Sequence, residues 1–477
     1  MKKNLQKYFA DVSHALFKRP NGLNPISSLD GLRSLLILSV LAAHALMWAT
    51  SFIPNTGRPF ELVKENPLYC VFSYHFLQFD GFFVLSGFIL CSQLLLRWRL
   101  LDGMSLKDMV VGRALGVVPS MVVVYAVFFA LKEIHSRNFL VSILFMHNFL
   151  KSNYYPFSAA PNWLFSTDMQ LWIAMFILFN ILHRLKLLSG KTLMVLLVAA
   201  WVLPFLLVTP EHMEGLSILL KTPHIGTVVT KDYAAWMELR FRHVWYLTST
   251  IQDSTESFLS KYWFQGYTRL SAFLVGCLAG YYFNLYHVAA VESKKEQPTK
   301  SVRQSENGHW LSSFAFILCL LILVAPLLPW RFASSLVPWI PLQLSTSTPA
   351  AETAFMGFMG WRYTWSIAFG TVLFSTVTPS THAFHSKRLK SFLSHPRWIP
   401  ISRLSHAAFV VHFRLQLSLA EAIRPSYPPG FLWICALYVL SVVLSYAAAW
   451  ILFVLVEVPV MKLRSAVAGP VAKNKPE

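Results

Sequence analysis

Four ionisable residues lie inside strongly apolar stretches of this sequence: His44, Asp80, Asp168 and His412. Titratable groups are costly in such surroundings and usually face a cavity or a partner, so each is a candidate functional residue. An imidazole there can act as a general base or as a nucleophile, and a neighbouring carboxylate can orient its ring. These residue types together indicate proton transfer or group transfer.

The most informative pair is Arg33 and His44, in the stretch LDGLRSLLILSVLAAHALMW at 29–48. In an α-helix their spacing is three turns plus about 20°, so both side chains project from one face. The histidine lies about 16 Å further along the helix. An anion held by Arg33, with a reactive imidazole one short molecule's length deeper, would suit an amphipathic donor that enters from the arginine's side. Two unusual residues on one face favour this interpretation over a buried polar group bonded to a neighbouring helix.

Asp80 stands in a second apolar stretch, FDGFFVLSGF. Its carboxylate could orient the imidazole of His44 and raise its basicity. A straight helix would put Asp80 a turn or two outward of that imidazole, so the pairing requires a tilted or broken helix. The small pair Ser86 and Gly87 permits close helix contact or such a break. A hydrogen bond to a neighbouring helix explains Asp80 alone equally well.

Two further stretches add polar residues at comparable depths. NWLFSTDMQLW places Ser166, Asp168 and Gln170 in the outer half of its helix. ISRLSHAAFVVH places Arg403 at the inner edge and His412 about 13 Å further in, close to the depth expected for the first histidine. A buried polar group bonded to a neighbouring helix again explains His412 alone equally well.

The sequence lacks the signatures of other enzyme classes. It has no Ser/His/Asp nucleophile spacing, no phosphate-cradling glycine loop and no cluster with zinc-ligand spacing. Its five cysteines lie singly in or beside apolar stretches, which is typical of packing residues. No metal is therefore predicted.

The elements that must hold these residues are membrane helices. Of the 477 residues, 55% are hydrophobic and 13% are charged, and the mean hydropathy is +0.50, values that soluble globular proteins seldom reach. Apolar stretches of about 20 residues are long enough to span a bilayer. We therefore predict an all-α, polytopic integral membrane protein of about ten transmembrane helices, near 34–53, 71–96, 113–131, 162–183, 192–209, 268–287, 311–329, 355–377, 401–420 and 431–457.

The basic residues set the predicted topology. Most of the 41 lysines and arginines fall in segments on the side of the N-terminus, so the positive-inside rule makes both termini cytosolic. The same asymmetry accounts for most of the net charge of +19, so no nucleic-acid partner is predicted. We divide the chain into a polar, mobile cytosolic segment at 1–29, a membrane domain at 30–464 and a cytosolic tail at 465–477. The membrane would be an endomembrane or the plasma membrane.

One long outer segment, 210–267, is rich in aromatic residues. Its aromatic side chains alternate with charges of both signs, which favours a folded cap or a re-entrant element over a disordered loop. An interfacial aromatic belt explains the same composition. Both interpretations stay open.

Several of these stretches resemble the acyltransferase family 3 membrane proteins. LDGLRSLLILSVLAAH is similar to the family's opening LDGLRA segment with its arginine and histidine, and FDGFFVLSGF is similar to its DxFFVLSGF. More narrowly, NWLFSTDMQLW, YTRLSAFLVGCLAGY and ISRLSHAAFVVH resemble WYLSxDMQF, YxRIxPYLVGxxxGY and LSRLTYxAYLVH of the animal nose-resistant-to-fluoxetine branch. The ordered series covers about 30–464, nearly the whole chain.

The resemblance implies an integral-membrane O-acyltransferase. Such an enzyme would move an acyl group from cytosolic acyl-CoA, its co-substrate, to a hydroxyl-bearing sugar, lipid or small molecule. His44 would be the general base or a transient acyl carrier, Asp80 would hold its ring in the useful tautomer, and Asp168, deeper toward the far side, would contact the acceptor.

The resemblance also implies binding residues at both ends of this path. Basic residues at the cytosolic mouth would pair with the phosphates of the donor. Membrane lipids would surround the helices. The predicted donor-binding residues are Arg33, Arg113 and Arg403, and the predicted substrate-binding residues are Ser166, Gln170, His412 and Arg269.

A transporter of lipids or small hydrophobic molecules is the alternative function. Buried aspartate and histidine residues also serve as proton relays, and the same animal branch has been linked with lipid and drug movement. Transport would proceed without consuming acyl-CoA and would depend on a pH or ion gradient. A non-enzymatic scaffold would leave the buried ionisable residues unexplained.

Overall fold

The computed structural model describes residues 2–18, 26–51, 75–100, 104–131, 136–149, 163–207, 265–296, 316–323, 351–378, 385–423 and 430–467. Over these residues the chain is helical and contains no β-strand. The predicted all-α class is confirmed for this part of the chain. The predicted aromatic segment at 210–267 lies outside the described residues except for its last three positions, and so does most of the C-terminal tail.

The helices follow one another in a simple order. Short 3₁₀ turns lie at His147–Phe149 and Gly266–Thr268, and a π-helical turn lies at Phe453–Glu457. Residues 316–323 are also helical. The α-helices are α1 (Lys2–Phe17), α2 (Ser28–Ser51), α3 (His75–Leu100), α4 (Leu106–Ala130), α5 (Ser136–Ile143), α6 (Trp163–Arg184), α7 (Gly190–Leu207), α8 (Leu270–Glu296), α9 (Ala351–Val377), α10 (Lys387–Leu393), α11 (Trp398–Ala422), α12 (Phe431–Leu452) and α13 (Val458–Val467).

Local signals in the sequence fix several helix ends. Ser105 caps α4 by accepting a hydrogen bond from the backbone N–H of Asp108 at 3.0 Å, which satisfies one of the unpaired donors at that helix end. Ser386 caps α10 in the same way. Pro459 follows the π-helical turn, where its missing N–H breaks the regular helical hydrogen bonding between α12 and α13.

Six of the described helical segments are long and apolar enough to cross a membrane, which supports a membrane protein. They are Ser28–Ala45, Leu77–Arg99, Leu106–Ala130, Trp163–Arg184, Gly190–Leu207 and Phe431–Leu463. The predicted spans near 355–377 and 401–420 coincide with α9 and α11, which are not among the six. The span predicted near 268–287 coincides with the shorter apolar part of α8, and the one near 311–329 is described only over 316–323. The number of ten therefore stays a prediction.

Helices α3 and α8 pack at backbone distance through glycine. A Cβ atom placed on Gly276 would lie 1.9 Å from the carbonyl oxygen of Val84, and one placed on Gly87 would lie 1.9 Å from that of Phe273. Gly276 is followed at the next turn by Gly280, whose Cβ would lie 2.8 Å from the carbonyl oxygen of Phe88. Small residues at this spacing let two membrane helices approach closely. The pair α3 and α8 thus forms the rigid centre that carries Asp80 and Ser86.

The main hydrophobic core surrounds this pair. It unites buried side chains of α2, α3, α6, α7, α8 and α9. Helix α11 lies against α2 and α12, and buries Leu404, Phe409 and Val410 in contact with its neighbours. Helix α2, which carries His44, therefore packs against both α3, which carries Asp80, and α11, which carries His412.

The N-terminal segment does not consist only of mobile polar chain. Its helix α1 buries Val12 and Leu16 in a small core with residues of α11 and of the π-helical turn. The Tyr8 hydroxyl donates to the carbonyl oxygen of Val454. Lys462 of α13 forms a salt bridge of 2.7 Å with Asp11. Helix α1 of the predicted N-terminal segment thus packs against the rest of the chain through an apolar face.

Candidate functional site

The two histidines predicted at similar depth meet in the structure. His44 of α2 and His412 of α11 lie with Nδ1 of the former 2.8 Å from Nε2 of the latter, a hydrogen-bond distance. Both rings are buried, with 5% and 0% of their surface exposed. Helical spacing predicted a similar depth for each histidine in its own helix, and the packing of α2 against α11 brings the two rings into direct contact.

Aromatic side chains enclose this histidine pair. The ring of Phe413 meets His44 edge-on at a centroid distance of 5.1 Å, and Phe79 of α3 lies 6.3 Å away. Gln416, one turn beyond His412, donates to the carbonyl oxygen of Leu41 at 2.8 Å and so ties α11 to α2. The imidazoles are therefore held in a fixed, apolar environment.

The carboxylate of Asp80, which was predicted to orient His44, contacts two arginines. Both of its carboxylate oxygens accept hydrogen bonds from Arg362 of α9 at 2.8 Å, and one also accepts from Arg269 at 2.7 Å. All three side chains are essentially fully buried. The reason is helix pairing, because close packing of α3 with α8 and α9 presents arginines to Asp80, whereas the partner of His44 is His412. Asp80 is therefore the centre of a buried ion cluster.

Two members of this ion cluster change the site prediction. Arg269, predicted to bind substrate, pairs with Asp80, and its guanidinium lies 5.1 Å from the ring centroid of Trp163. Arg362 was missed, although it also donates to the carbonyl oxygen of Thr268 at 3.0 Å. The signal for Arg362 was available, since an arginine within the predicted span at 355–377 needs a buried counter-ion just as Asp80 does.

Asp168, which was predicted to contact the acceptor, forms a salt bridge with Arg113 of α4. The same guanidinium donates to the hydroxyl of Ser86 at 3.0 Å and stacks at 4.0 Å over the ring of Trp172. The indole N–H of Trp172 donates to the same hydroxyl. The long side chain of Arg113 reaches Asp168. Arg113, predicted to bind the donor, and Asp168, predicted to contact the acceptor, therefore belong to one cluster.

The three arginines predicted to bind the donor converge on one region. Arg33 lies within electrostatic range of Arg113 and Arg403, and also of the carboxylates Asp30 and Asp168. We call Arg33, Arg113 and Arg403 the arginine cluster. The two carboxylates offset part of this positive charge, and the positive charge that remains suits the region to an anionic ligand.

The rim of the arginine cluster carries further polar residues. Glu457, in the π-helical turn, accepts a hydrogen bond from Ser120 of α4 at 2.8 Å and lies within electrostatic range of Arg403. His406 of α11 directs Nε2 at the carbonyl oxygen of Val117, 3.2 Å away. Residues of α2, α4, α6, α11 and the π-helical turn thus surround one polar region.

Ser166 and Gln170 contact the 3₁₀ turn at His147–Phe149. The hydroxyl of Ser166 accepts from the backbone N–H of His147 at 3.2 Å, and Gln170 exchanges two amide hydrogen bonds with Asn148. Burial lowers the pKa of His147 to about 3, so its ring stays neutral. Ser166 and Gln170, which were predicted to bind substrate, therefore hold the 3₁₀ turn against α6.

Metal ligands do not cluster in the part of the chain that the structure describes. No three histidine, cysteine, aspartate or glutamate residues there lie close enough together to hold a metal ion. The chemistry available from these residues is that of imidazoles, carboxylates and guanidiniums.

Comparison with known proteins adds no family. No protein-family model, no curated protein and no solved structure matches this chain.

Proposed function

We propose that this protein is a multi-pass integral-membrane O-acyltransferase of the acyltransferase family 3 type, with both termini in the cytosol. One observation carries the proposal: His44, a member of a buried imidazole pair, lies on the same helix as Arg33, which belongs to the three-arginine cluster. The salt bridge between Asp11 and Lys462 supports the shared side of the termini, because it joins α1 to α13.

The arginine cluster would bind the phosphates of acyl-CoA. Guanidiniums form paired, charge-assisted hydrogen bonds with phosphate oxygens, and three of them match the several negative charges of the coenzyme. Arg33 lies about 16 Å from His44 along α2, which leaves room for the pantetheine arm to carry a thioester inward. Asp30 and Asp168 would neutralise the cluster when no donor is bound.

His44 would act at the thioester. Its ring is held by His412 and packed by Phe413, so a donor and an acceptor hydroxyl would meet it in a site from which bulk water is largely excluded. General-base catalysis by a positioned imidazole contributes about 10²- to 10⁴-fold to such reactions. The acceptor would be a sugar, a lipid or a small molecule with a free hydroxyl.

The first test is donor binding by the purified protein in detergent. We expect one acyl-CoA of the series from acetyl-CoA to palmitoyl-CoA to raise the unfolding temperature, because a ligand at 100 times its Kd stabilises the folded state by about 2.7 kcal/mol. Arg33→Ala should abolish the shift. Arg388→Ala, an exposed arginine of α10, should keep it and serves as the control.

Two results would contradict the proposal. If no acyl-CoA stabilises the folded wild-type protein, the proposed donor site is wrong. If His44→Ala still transfers the acyl group from a labelled acyl-CoA, His44 is not the general base.

Transport of a lipid or small hydrophobic molecule is the second candidate, and the buried histidine pair favours it specifically. Two imidazoles in hydrogen-bond contact can pass a proton between them. The two functions separate in one assay with proteoliposomes. A transporter would move its substrate with a pH gradient and without acyl-CoA, whereas the acyltransferase would consume acyl-CoA and need no gradient.

A further inference from the structure

The two ring nitrogens of His412 are both engaged within the protein. Nδ1 lies 2.6 Å from the backbone carbonyl oxygen of Phe409, and Nε2 lies 2.8 Å from Nδ1 of His44. His412 was predicted to bind substrate, but a ring with both nitrogens engaged has no nitrogen left for that purpose. The contacts of His412 instead determine which ring nitrogen of His44 carries the hydrogen atom.

These contacts fix the order of donors and acceptors. A carbonyl oxygen can only accept, so Nδ1 of His412 must carry a hydrogen atom. A neutral imidazole with hydrogen on Nδ1 has its lone pair on Nε2, which must then accept from Nδ1 of His44. His44 is therefore protonated on Nδ1 and has its lone pair on Nε2.

We propose that His412 is a positioning residue that holds His44 in the Nδ1–H tautomer, with Nε2 as the basic atom. This inference rests on the acyl transfer proposed above and deepens it. The hydrogen bonds run from Nδ1–H of His44 to Nε2 of His412, and from Nδ1–H of His412 to the helix backbone at Phe409.

The surroundings keep this arrangement in place. The carbonyl of Phe409 belongs to α11 itself, so it cannot move away from His412 without unwinding the helix. Phe413 packs edge-on against both rings, at 5.1 Å from His44 and 6.1 Å from His412. Neither imidazole can rotate without displacing packed neighbours.

The tautomer has a direct use in acyl transfer. The acceptor hydroxyl gives its proton to Nε2 of His44 while its oxygen bonds to the acyl carbon. The carbon–sulfur bond then breaks with its electron pair on sulfur, and the thiolate takes the proton back from Nε2, so that an ester and free CoA leave. While His44 holds the extra proton, its Nδ1–H makes a charge-assisted hydrogen bond to His412, which stabilises the imidazolium.

Three variants test the positioning role. His412→Phe keeps a ring of similar shape but removes the acceptor. His412→Gln can still accept from His44 through its side-chain oxygen. Gln416→Leu is the control, because it loosens the docking of α11 on α2 without touching either imidazole.

The first readout is NMR of the full-length protein with isotope-labelled histidine, which distinguishes the two neutral tautomers by their ring shifts. The His44 signal is identified by its loss in His44→Gln. We expect the Nδ1–H form in wild type, in His412→Gln and in Gln416→Leu, and a different form in His412→Phe. An Nε2–H form in wild type, or a His44 signal that does not change in His412→Phe, would overturn the proposal.

The second readout is the kinetics of acyl transfer. We expect His412→Phe to lower kcat about 100-fold, the size of general-base catalysis, with the KM for acyl-CoA unchanged. His412→Gln should restore much of this loss. Equal kcat values in wild type and His412→Phe would refute the positioning role, whereas a wild type without any acyl transfer would refute the proposed function and still leave the tautomer decided by NMR.

Discussion

At the residue scale, the free-energy cost of an unpaired buried charge determines which polar side chains can be substituted without destabilising the protein. The carboxylate of Asp80 neutralises two guanidiniums that have essentially no exposed surface. Breaking such a cluster by removing one partner leaves the others charged and unpaired, which costs about 3–5 kcal/mol. The role of Asp80 in this structure is therefore to make the arginines compatible with the core.

Asp80→Asn should lower the stability of the protein, whatever its effect on activity. The amide keeps the shape of the carboxylate but removes the charge, so we expect a loss of about 3 kcal/mol or more in the free energy of unfolding. Thermal unfolding in detergent measures the effect. Asp108→Asn, at an exposed position of α4, should change the stability by no more than about 1 kcal/mol. An Asp80→Asn variant as stable as wild type would show that the arginines are neutralised elsewhere.

Helical spacing was sufficient to predict some of these residues but not their partners. Arg33 and His44 could be placed on one face because the geometry of a single helix determines it. The pairing of Asp80 with Arg362 joins residues 282 positions apart, so it depends on which helices pack together. That choice rests on the shapes of whole helix surfaces, which spacing along one helix does not contain.

At the element scale, the backbone contact between α3 and α8 holds the site in register. Val84, which faces Gly276, lies between Asp80 and Ser86 on α3. A shift of α3 would therefore move both the ion cluster and the hydroxyl that binds Arg113. The sequence indicated close contact at the small pair Ser86 and Gly87, but it could not identify α8 as the partner.

Alanine substitutions at two helix glycines test this contact. Gly276→Ala should destabilise the protein by about 1–3 kcal/mol, because its methyl group would lie 1.9 Å from a backbone carbonyl oxygen that has little room to move. Gly116→Ala in α4 is the matched control, since nothing lies within 4 Å of its added methyl group. It should leave stability unchanged or raise it by about 1 kcal/mol through better helix propensity. Equal effects of the two substitutions on thermal unfolding would argue against the glycine contact.

At the scale of the whole molecule, charge and packing support the same topology. Most of the basic residues fall in segments that the ten-span prediction assigns to one side. Independently, Asp11 of α1 pairs with Lys462 of α13, and Tyr8 of α1 contacts Val454 of the π-helical turn. These contacts between the two ends of the chain agree with the proposed topology, in which both termini lie on one side and the number of spans is even.

The topology predicts where tags can be reached in cells whose plasma membrane alone has been made permeable. Tags placed before α1 and after α13 should both bind antibody, because both termini would be cytosolic. A tag within 210–267 should stay protected until all membranes are opened in an endomembrane protein, and should bind antibody on intact cells in a plasma-membrane protein. Lys462→Glu tests whether the packing of α1 determines the topology. The substitution should weaken the contact of α1 with α13 and leave both terminal tags accessible. If one terminal tag is protected while the other is accessible, the number of spans cannot be even. That result would also exclude a common cytosolic side for the two termini, on which the arginine cluster is proposed to receive its donor.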